Sequence, residues 1–385
     1  MERRTFDKVL GIGSIYLTIP ELFTGCATSN KLAIARSPWE IDSKVSQYDD
    51  IRLKILSYAI LAPNPFNIQP WLLLLKNTNE ISLYIDPDRL LPMTDPFHRL
   101  IYASQGTFLE LLTIAAKEFG YKPSIQLFHE GIDPVEKTGK SPIARIIITK
   151  TEVEKDNLFN QIPLRVTNRR PYKGPPITVE ELNILQKSYD VKNYPMRFIT
   201  DAEKISKIAN LMTEAFKIET YTERTYAETP KMFRFNANEV AKYRDGFNYE
   251  NMGVTGIVKF FAEKFSGRNK GFSESFKKRI VNALDKKAHT AKAIGIMFTQ
   301  ENNRIEQVEI GRRYARVHLM ATKLNLSMQM MSQILEEYEE LVEVQKKFLE
   351  IIKPYKGVPQ LLFRLGRAKP TPHSPRRELL DLVRS

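Results

Sequence analysis

Cysteine is almost absent: Cys26 is the single one in 385 residues. That excludes an intrachain disulfide and a thiolate-built zinc site. The five histidines (His98, His129, His289, His318 and His373) show no metal-ligand spacing and read as structural. There is no Gly-x-Gly-x-x-Gly dinucleotide fingerprint. The formal charge is +13, from 58 basic and 45 acidic residues. No zinc-finger, helix-turn-helix or RNA-binding signature accompanies it, and the Lys and Arg residues are scattered, so no nucleic-acid partner is expected. The apolar run from Val9 to Phe23 is too short and too polar for a spanning helix. What remains is ordinary for a folded protein, with 42% hydrophobic and 27% charged residues. The length suits two domains or one large duplicated one.

The most informative stretch is Ala62-Pro63-Asn64-Pro65-Phe66-Asn67-Ile68-Gln69-Pro70-Trp71. Pro63, Pro65 and Pro70 stop the helical pattern before it, because proline lacks an N–H and disfavours the α conformation in the residue ahead. Between them Asn64, Asn67 and Gln69 present side chains that both donate and accept hydrogen bonds. Trp71 opens an apolar strand. A stiff, amide-bearing loop at a helix-to-strand junction suits a planar, hydrogen-bonding ligand. On local chemistry alone an ordinary proline-rich loop is the simpler reading.

The segment resembles the flavin-contacting loop of the nitroreductase superfamily, Ala-Pro-Ser-x-x-Asn-x-Gln-Pro-Trp, with Ala62, Pro63, Asn67, Gln69, Pro70 and Trp71 in register and Asn64 in place of Ser. A second segment, Asp95, Pro96, Phe97, Arg99, Ser104 and Gly106, is similar to the Acg-type branch, whose single chains fuse two nitroreductase-like halves. A third, Arg165-Val166-Thr167-Asn168-Arg169, resembles the basic opening motif of the superfamily, Val166 departing from it. Arginine suits phosphate or a flavin edge because its planar fork can bond two oxygens at once. Leu326 to Gln333 is similar to the strand and loop that pass the flavin N5 edge, with Met331 and Ser332 nearest. Ser374-Pro375-Arg376-Arg377 resembles the C-terminal phosphate clamp. Tyr243 to Phe247 is similar to another Acg-type segment.

The amino terminus is of a different kind. Glu2-Arg3-Arg4-Thr5-Phe6-Asp7-Lys8 resembles a twin-arginine export signal. Phe23-Thr24-Gly25-Cys26 resembles a lipoprotein signal-peptidase box, with Cys26 at the acylation position. The expectation is an export signal over 1–30 and a protein in the periplasm or at the outer face of a bacterial membrane, tethered through lipidated Cys26. An amphipathic terminal helix of a cytoplasmic protein is the alternative.

The pattern predicts a linker and then a helix over 31–60, strands near 72–75 and 81–85, a long helix from Arg99 to Gly120, and strands near 124–128 and 144–148. Beyond Ile162 it predicts helices at 179–186, from Ile205, from Gln307 and over 336–352, and strands at 293–298 and 360–366. The aromatic-rich stretch 251–290 reads as core, or as part of a lid over about 225–290. The resemblance implies an α+β fold of two fused halves, 31–155 and 156–385, forming a monomeric pseudo-dimer, each half a mainly antiparallel sheet flanked by helices. The first half keeps the proline-amide loop and the second the basic motif, so the resemblance implies one composite FMN site per chain. The site would comprise Pro63, Asn64, Pro65, Asn67, Arg165, Thr167, Arg169, Met331, Ser332, Arg376 and Arg377, with no catalytic side chain and no metal. The implied activity is two-electron reduction of an electron-poor small molecule. Storage of FMN with little turnover is the alternative, and a flavin-dependent dehalogenase or ring-oxidising enzyme a third reading.

Overall fold

The computed structural model describes residues 30–189, 193–254, 259, 262–263 and 273–384. Cys26, the export signal, and Phe260, Phe261, Phe265 and Phe272 lie outside the described residues. None of the described helices is long and apolar enough to cross a membrane.

Two four-stranded sheets carry the fold. The first contains β1 (Trp71–Lys76), β2 (Glu80–Ile85), β3 (Tyr121–Leu127) and β4 (Ala144–Lys150) in the order β1-β2-β4-β3. The second contains β5 (Met196–Ile199), β6 (Ala293–Thr299), β7 (Ser327–Met330) and β8 (Val358–Gly366) in the order β5-β6-β8-β7. Every pairing within them is antiparallel. The identical order is the mark of two fused halves, the α+β architecture expected above. β1 buries Trp71 and Leu73 on one face while its other face is only partly covered, the alternation of a half-buried strand. β6 is buried along its whole length, which fits its central place and its unbroken apolar run Ala293–Phe298.

The main helices are α1 (Ile51–Ala59), α2 (Arg99–Glu118), α3 (Val179–Gln186), α4 (Ala202–Tyr221), α5 (Glu274–Ala288), α6 (Arg304–Lys323) and α7 (Val342–Ile352). Local chemistry sets their starts. Asp50 caps α1, Asp201 caps α4 and Asn303 caps α6, each side chain accepting a backbone N–H of the first turn. Thr178 and Glu181 form a reciprocal capping box on α3.

The duplication is clearest in α2 and α6, which pack together at the centre. Arg99, Gly106 and Gly120 recur 205 positions later as Arg304, Gly311 and Asn325. The helices touch through their glycines. A Cβ on Gly106 would sit 1.8 Å from the carbonyl oxygen of Val308, and one on Gly311 would sit 1.8 Å from that of Ala103. Ala103 and Val308 are themselves related by the same offset, so the contact is pseudo-two-fold. Gly120 and Asn325 both take positive φ past the helix ends, as C-terminal capping residues do.

Three elements differ from the pattern-based expectation. The 31–50 stretch is not a linker: residues 31–36 are helical, Ser37–Trp39 forms a 3₁₀ turn and Ile41–Val45 a short helix. Pro38 and the Asp50 cap break these pieces into units too short to show helical periodicity. The helix expected over 336–352 begins only at Val342, because Glu336 and Tyr338 are extended. Finally, the C-terminal tail does not stay with the second half. Arg376 N donates to Ala35 O (2.9 Å) and Arg384 N to Leu73 O (2.7 Å). Leu379 and Leu382 are buried in the core of the first half.

Candidate functional site

The 62–71 loop is held in an unusual shape. Phe66, Asn67 and Gln69 have φ values of 48°, 57° and 55°. Positive φ is uncommon away from glycine, so the surroundings must impose it. Asn64 Oδ1 accepts the Gln69 N–H (2.8 Å) across the turn, and Asn64 Nδ2 donates to Ala62 O (3.1 Å). The Asn67 amide donates to Gly246 O and Pro375 O (both 3.0 Å), and its oxygen accepts from the Arg376 guanidinium. Gln69 Nε2 donates to Arg244 O (2.9 Å), and Gly246 N donates to Asn67 O (3.1 Å). The segment Arg244–Phe247 is therefore a clasp, pinned by Asp245, which pairs with both Arg89 and Arg234.

Arg376 anchors the loop from behind. It is fully buried, and it donates to the carbonyl oxygens of Ile60 (3.0 Å), Leu61 and Ala62 (both 3.2 Å). Burial, and then the charge of Arg165, push its pKa well below the usual arginine range. Asn67 and Arg376 hold the loop with the groups that a ligand would otherwise engage.

In front of the loop lies a cavity of about 420 Å³. Pro63, Asn64 and Pro65 from the first half line it together with Thr167, Arg169, Met331 and Ser332 from the second. The wall between them is the central helix pair, through Ser104, Thr107, Gly311 and Tyr314. A second cavity of about 20 Å³, room for about one water, is lined by Asn67, Arg165, Arg376 and Trp39. It shares Pro63, Asn64, Thr167 and Arg169 with the larger one. Of the eleven residues expected at the FMN site, Arg377 alone lines neither: it meets Gln69 O and Asp86 (3.5 and 3.4 Å), and its backbone N–H donates to Gln69 Oε1.

The electrostatics are one-sided at this end. Arg165, Arg169, Arg364 and Lys287 gather with Arg376, and none of them forms an ion pair with a described acid. Burial is the main influence on each. It draws Arg165 to about 10 and, with Arg364 and Arg169 nearby, Lys287 to about 8. Arg165 donates to Leu61 O (2.8 Å), but its buried Nε has no partner. Arg364 is held by Gln329, Arg170 O, Lys287 O and Thr290. No hydrogen bond or ion pair to a described residue engages the Arg169 guanidinium, which borders both cavities. Buried cations without acids are expensive unless an anion completes them. The arrangement is an anion site beside an apolar, aromatic-walled chamber.

Sequence reasoning missed Trp39, Lys287 and Gln329, as well as two acids considered below. Trp39 stacks on His373 at 4.0 Å and lies under the guanidinium groups of Arg376 and Arg165. Trp39 and Lys287 are lone residues in segments without a motif, and only the fold brings them to the site; Gln329 lies within the 326–333 segment, near the Met331 and Ser332 expected there.

The opposite side of the helix pair, where duplication would place a twin cavity, carries a network of ion pairs. At the positions related to Ser104 and Thr107 stand Glu309 and Arg312. Arg312 pairs with Glu309 (3.4 Å) and Glu110 (3.0 Å), and Arg316 with Glu110 (3.0 Å) and Asp156 (2.7 Å). Among the described residues no metal-holding group of His, Cys, Asp or Glu occurs.

No protein-family model and no curated protein matches the chain. Solved structures resemble it in part. The FMN-dependent nitroreductase of Mycobacterium smegmatis, in complex with NADPH, is 12% identical over 59% of this chain and 96% of that one, with a TM-score of 0.36. An iodotyrosine deiodinase bound to FMN and 3-iodo-L-tyrosine is 14% identical over 57% of this chain and 95% of that one, TM-score 0.33. A nitroreductase candidate from Anabaena variabilis is 11% identical over 83% of this chain and 88% of that one, TM-score 0.39.

Proposed function

We propose that the chain is an FMN-binding oxidoreductase of nitroreductase type, and that it holds one FMN. The observation that carries this reading is the composite cavity. A proline-amide loop from one half faces a basic cluster from the other, in which no described acid pairs with the cations, no described residue bonds the Arg169 guanidinium and the buried Arg165 Nε is unpartnered. These residues fit a planar, hydrogen-bonding ring that carries an anion. Arg169 and Lys287 would meet the phosphate, helped by Thr167. Asn64 and the backbone of Pro63 and Pro65 would border the ring on one side, and Met331 and Ser332 on another.

FMN, when bound, supplies two-electron redox chemistry. The chain's own part is positional. The clasped loop fixes one wall, and Phe216, Phe233, Phe247 and Phe276 make the chamber apolar. The opposite side carries the ion-paired Glu309 and Arg312 where the cavity has Ser104 and Thr107, which supports one flavin per chain.

The visible spectrum and flavin content of the purified protein test the reading. Close to one equivalent of FMN is expected. Two equivalents would remove the single-site claim, and a colourless protein that takes up no FMN would remove the whole. Mixing with NADH, NADPH and dithionite then separates turnover from storage: bleaching by a nicotinamide donor is expected, and bleaching by dithionite alone would favour a holding role.

The amino-terminal sequence supports export and lipidation at Cys26 as part of the same proposal. Labelled palmitate should enter the full chain in a bacterial host and fail to enter a Cys26→Ser variant.

A further inference from the structure

The cavity has a second pole that the proposed function leaves unused. Glu219, in the last turn of α4, and Glu336, after the 3₁₀ turn Ser332–Leu335, both line it. They are 1% and 4% exposed, and one carboxyl oxygen of each is buried without a hydrogen-bond partner. Neither forms an ion pair with a described residue. Two buried carboxyls with no paired cation among the described residues, in a chain with thirteen more basic than acidic residues, need an explanation. A purely structural neutral pair would be satisfied by the protein around it.

The neighbours sharpen the case. Glu228 and Asp95 add negative charge, but both are engaged: Glu228 by Thr94 and the Met93 N–H, Asp95 by the Ile101 N–H. Arg99 is directed to the carbonyl oxygens of Leu335 and Gln360 and to Glu337. The buried Tyr338 hydroxyl faces Glu336. Burial, followed by Glu228, raises Glu219 to about 8, and burial with Glu219 and Asp95 raises Glu336 well above the ordinary range. The wall of the cavity that the acids line also carries Phe216, Tyr226, Phe233, Phe247 and Phe276. That wall offers too few oxygens for a hard metal ion, which takes six or more. It suits the ring of an organic cation, whose charge aromatic faces also attract.

We propose that Glu219 and Glu336 form a subsite for the ammonium head of a small aromatic amine, whose ring lies against the aromatic wall. The subsite depends on the cavity alone and does not require the flavin reading to hold. Binding transfers no electrons: the ammonium displaces a carboxyl proton, which leaves to solvent.

Titration calorimetry on the full chain near neutral pH, in two buffers of different ionisation enthalpy, tests it. The probes are 2-phenylethylammonium and its neutral isostere 2-phenylethanol. The cation should bind at least about tenfold more tightly, a difference of roughly 1.4 kcal/mol, and release a proton that the alcohol does not. Glu219→Gln and Glu336→Gln should each abolish the preference while leaving the affinity for the alcohol unchanged. Equal affinity for the two probes on the unchanged chain overturns the proposal, even if a glutamine variant fails to fold. A preference that survives both substitutions overturns it as well, since the cation would then sit elsewhere.

Discussion

At the scale of single residues, the site separates into side chains that hold the loop and side chains left free for a ligand. Arg169 is of the free kind. Replacing it by Ala should raise the FMN dissociation constant about tenfold or more, given roughly 1.5–3 kcal/mol for a charge-assisted hydrogen bond; fluorescence titration reads the change. Arg376 is of the holding kind. Arg376→Met would leave the buried Ile60 carbonyl and the Asn67 amide oxygen without a donor, while Leu61 O and Ala62 O keep Arg165 and Asn64. A loss of roughly 3 kcal/mol in urea unfolding is expected, as for other broken buried networks. Glu219 gives a prediction in pH. Its folded pKa of about 8 lies above the ordinary carboxyl value of about 4.3, so the fold prefers the protonated acid. That contribution is complete below the unfolded value, declines as pH rises, and is gone above the folded one. Between about pH 5 and 8 the melting temperature should therefore fall more in the natural protein than in Glu219→Gln.

The loop was legible in the sequence because prolines and amides at fixed spacing leave a local trace. Asn67 and Arg376 were legible as site residues, but their work was not: which partner an amide or guanidinium meets depends on segments hundreds of positions away. Lys287, Glu219 and Glu336 left no trace, because a charged residue in an amphipathic helix or after a turn looks like any solvated one.

At the scale of elements, the helix pair α2 and α6 is the keystone. Gly311→Ala would drive a methyl group into the backbone carbonyl of Ala103, and backbone cannot rotate aside as a side chain can. A destabilisation of roughly 3 kcal/mol or more is expected, in the upper range for overpacking, with the transition midpoint in urea as the readout. The same change at Gly106 should match it closely, because the two contacts are related by the duplication. Strands and long helices were readable from alternation and helical periodicity, down to the bounds of α3. The pieces over 31–50 were not, since five-residue helices carry too few turns for a period to emerge. The delayed start of α7 had a tertiary cause: Glu336 is extended at the cavity and Tyr338 is extended into the core of the second half, and helix-favouring composition yields to that packing.

At the scale of the whole molecule, duplication followed by divergence explains why the two sides of the helix pair differ. Small residues, Ser104 and Thr107, open one side, and Glu309 and Arg312 close the other with ion pairs. The double change Glu309→Ser with Arg312→Thr should leave flavin content at one equivalent, because the second side also lacks a loop and a basic motif. A rise towards two equivalents in the absorbance-to-protein ratio would contradict this.

The returning tail has a consequence for the order of events in folding. Arg376 reaches Ala35 and Arg384 reaches Leu73, contacts that close loops of more than three hundred residues. Such closures are slow compared with hairpins and helix pairs formed from neighbouring segments. Each sheet can therefore take shape while the 62–71 loop still lacks its backing, and the strained turn locks last. In pulsed hydrogen exchange during refolding, the amides of Arg376 and Arg384 should gain protection after those of β2 and β4. A ligand that needs that loop would then act as a late reporter of a finished chain, and its capture rate would time the final step of folding.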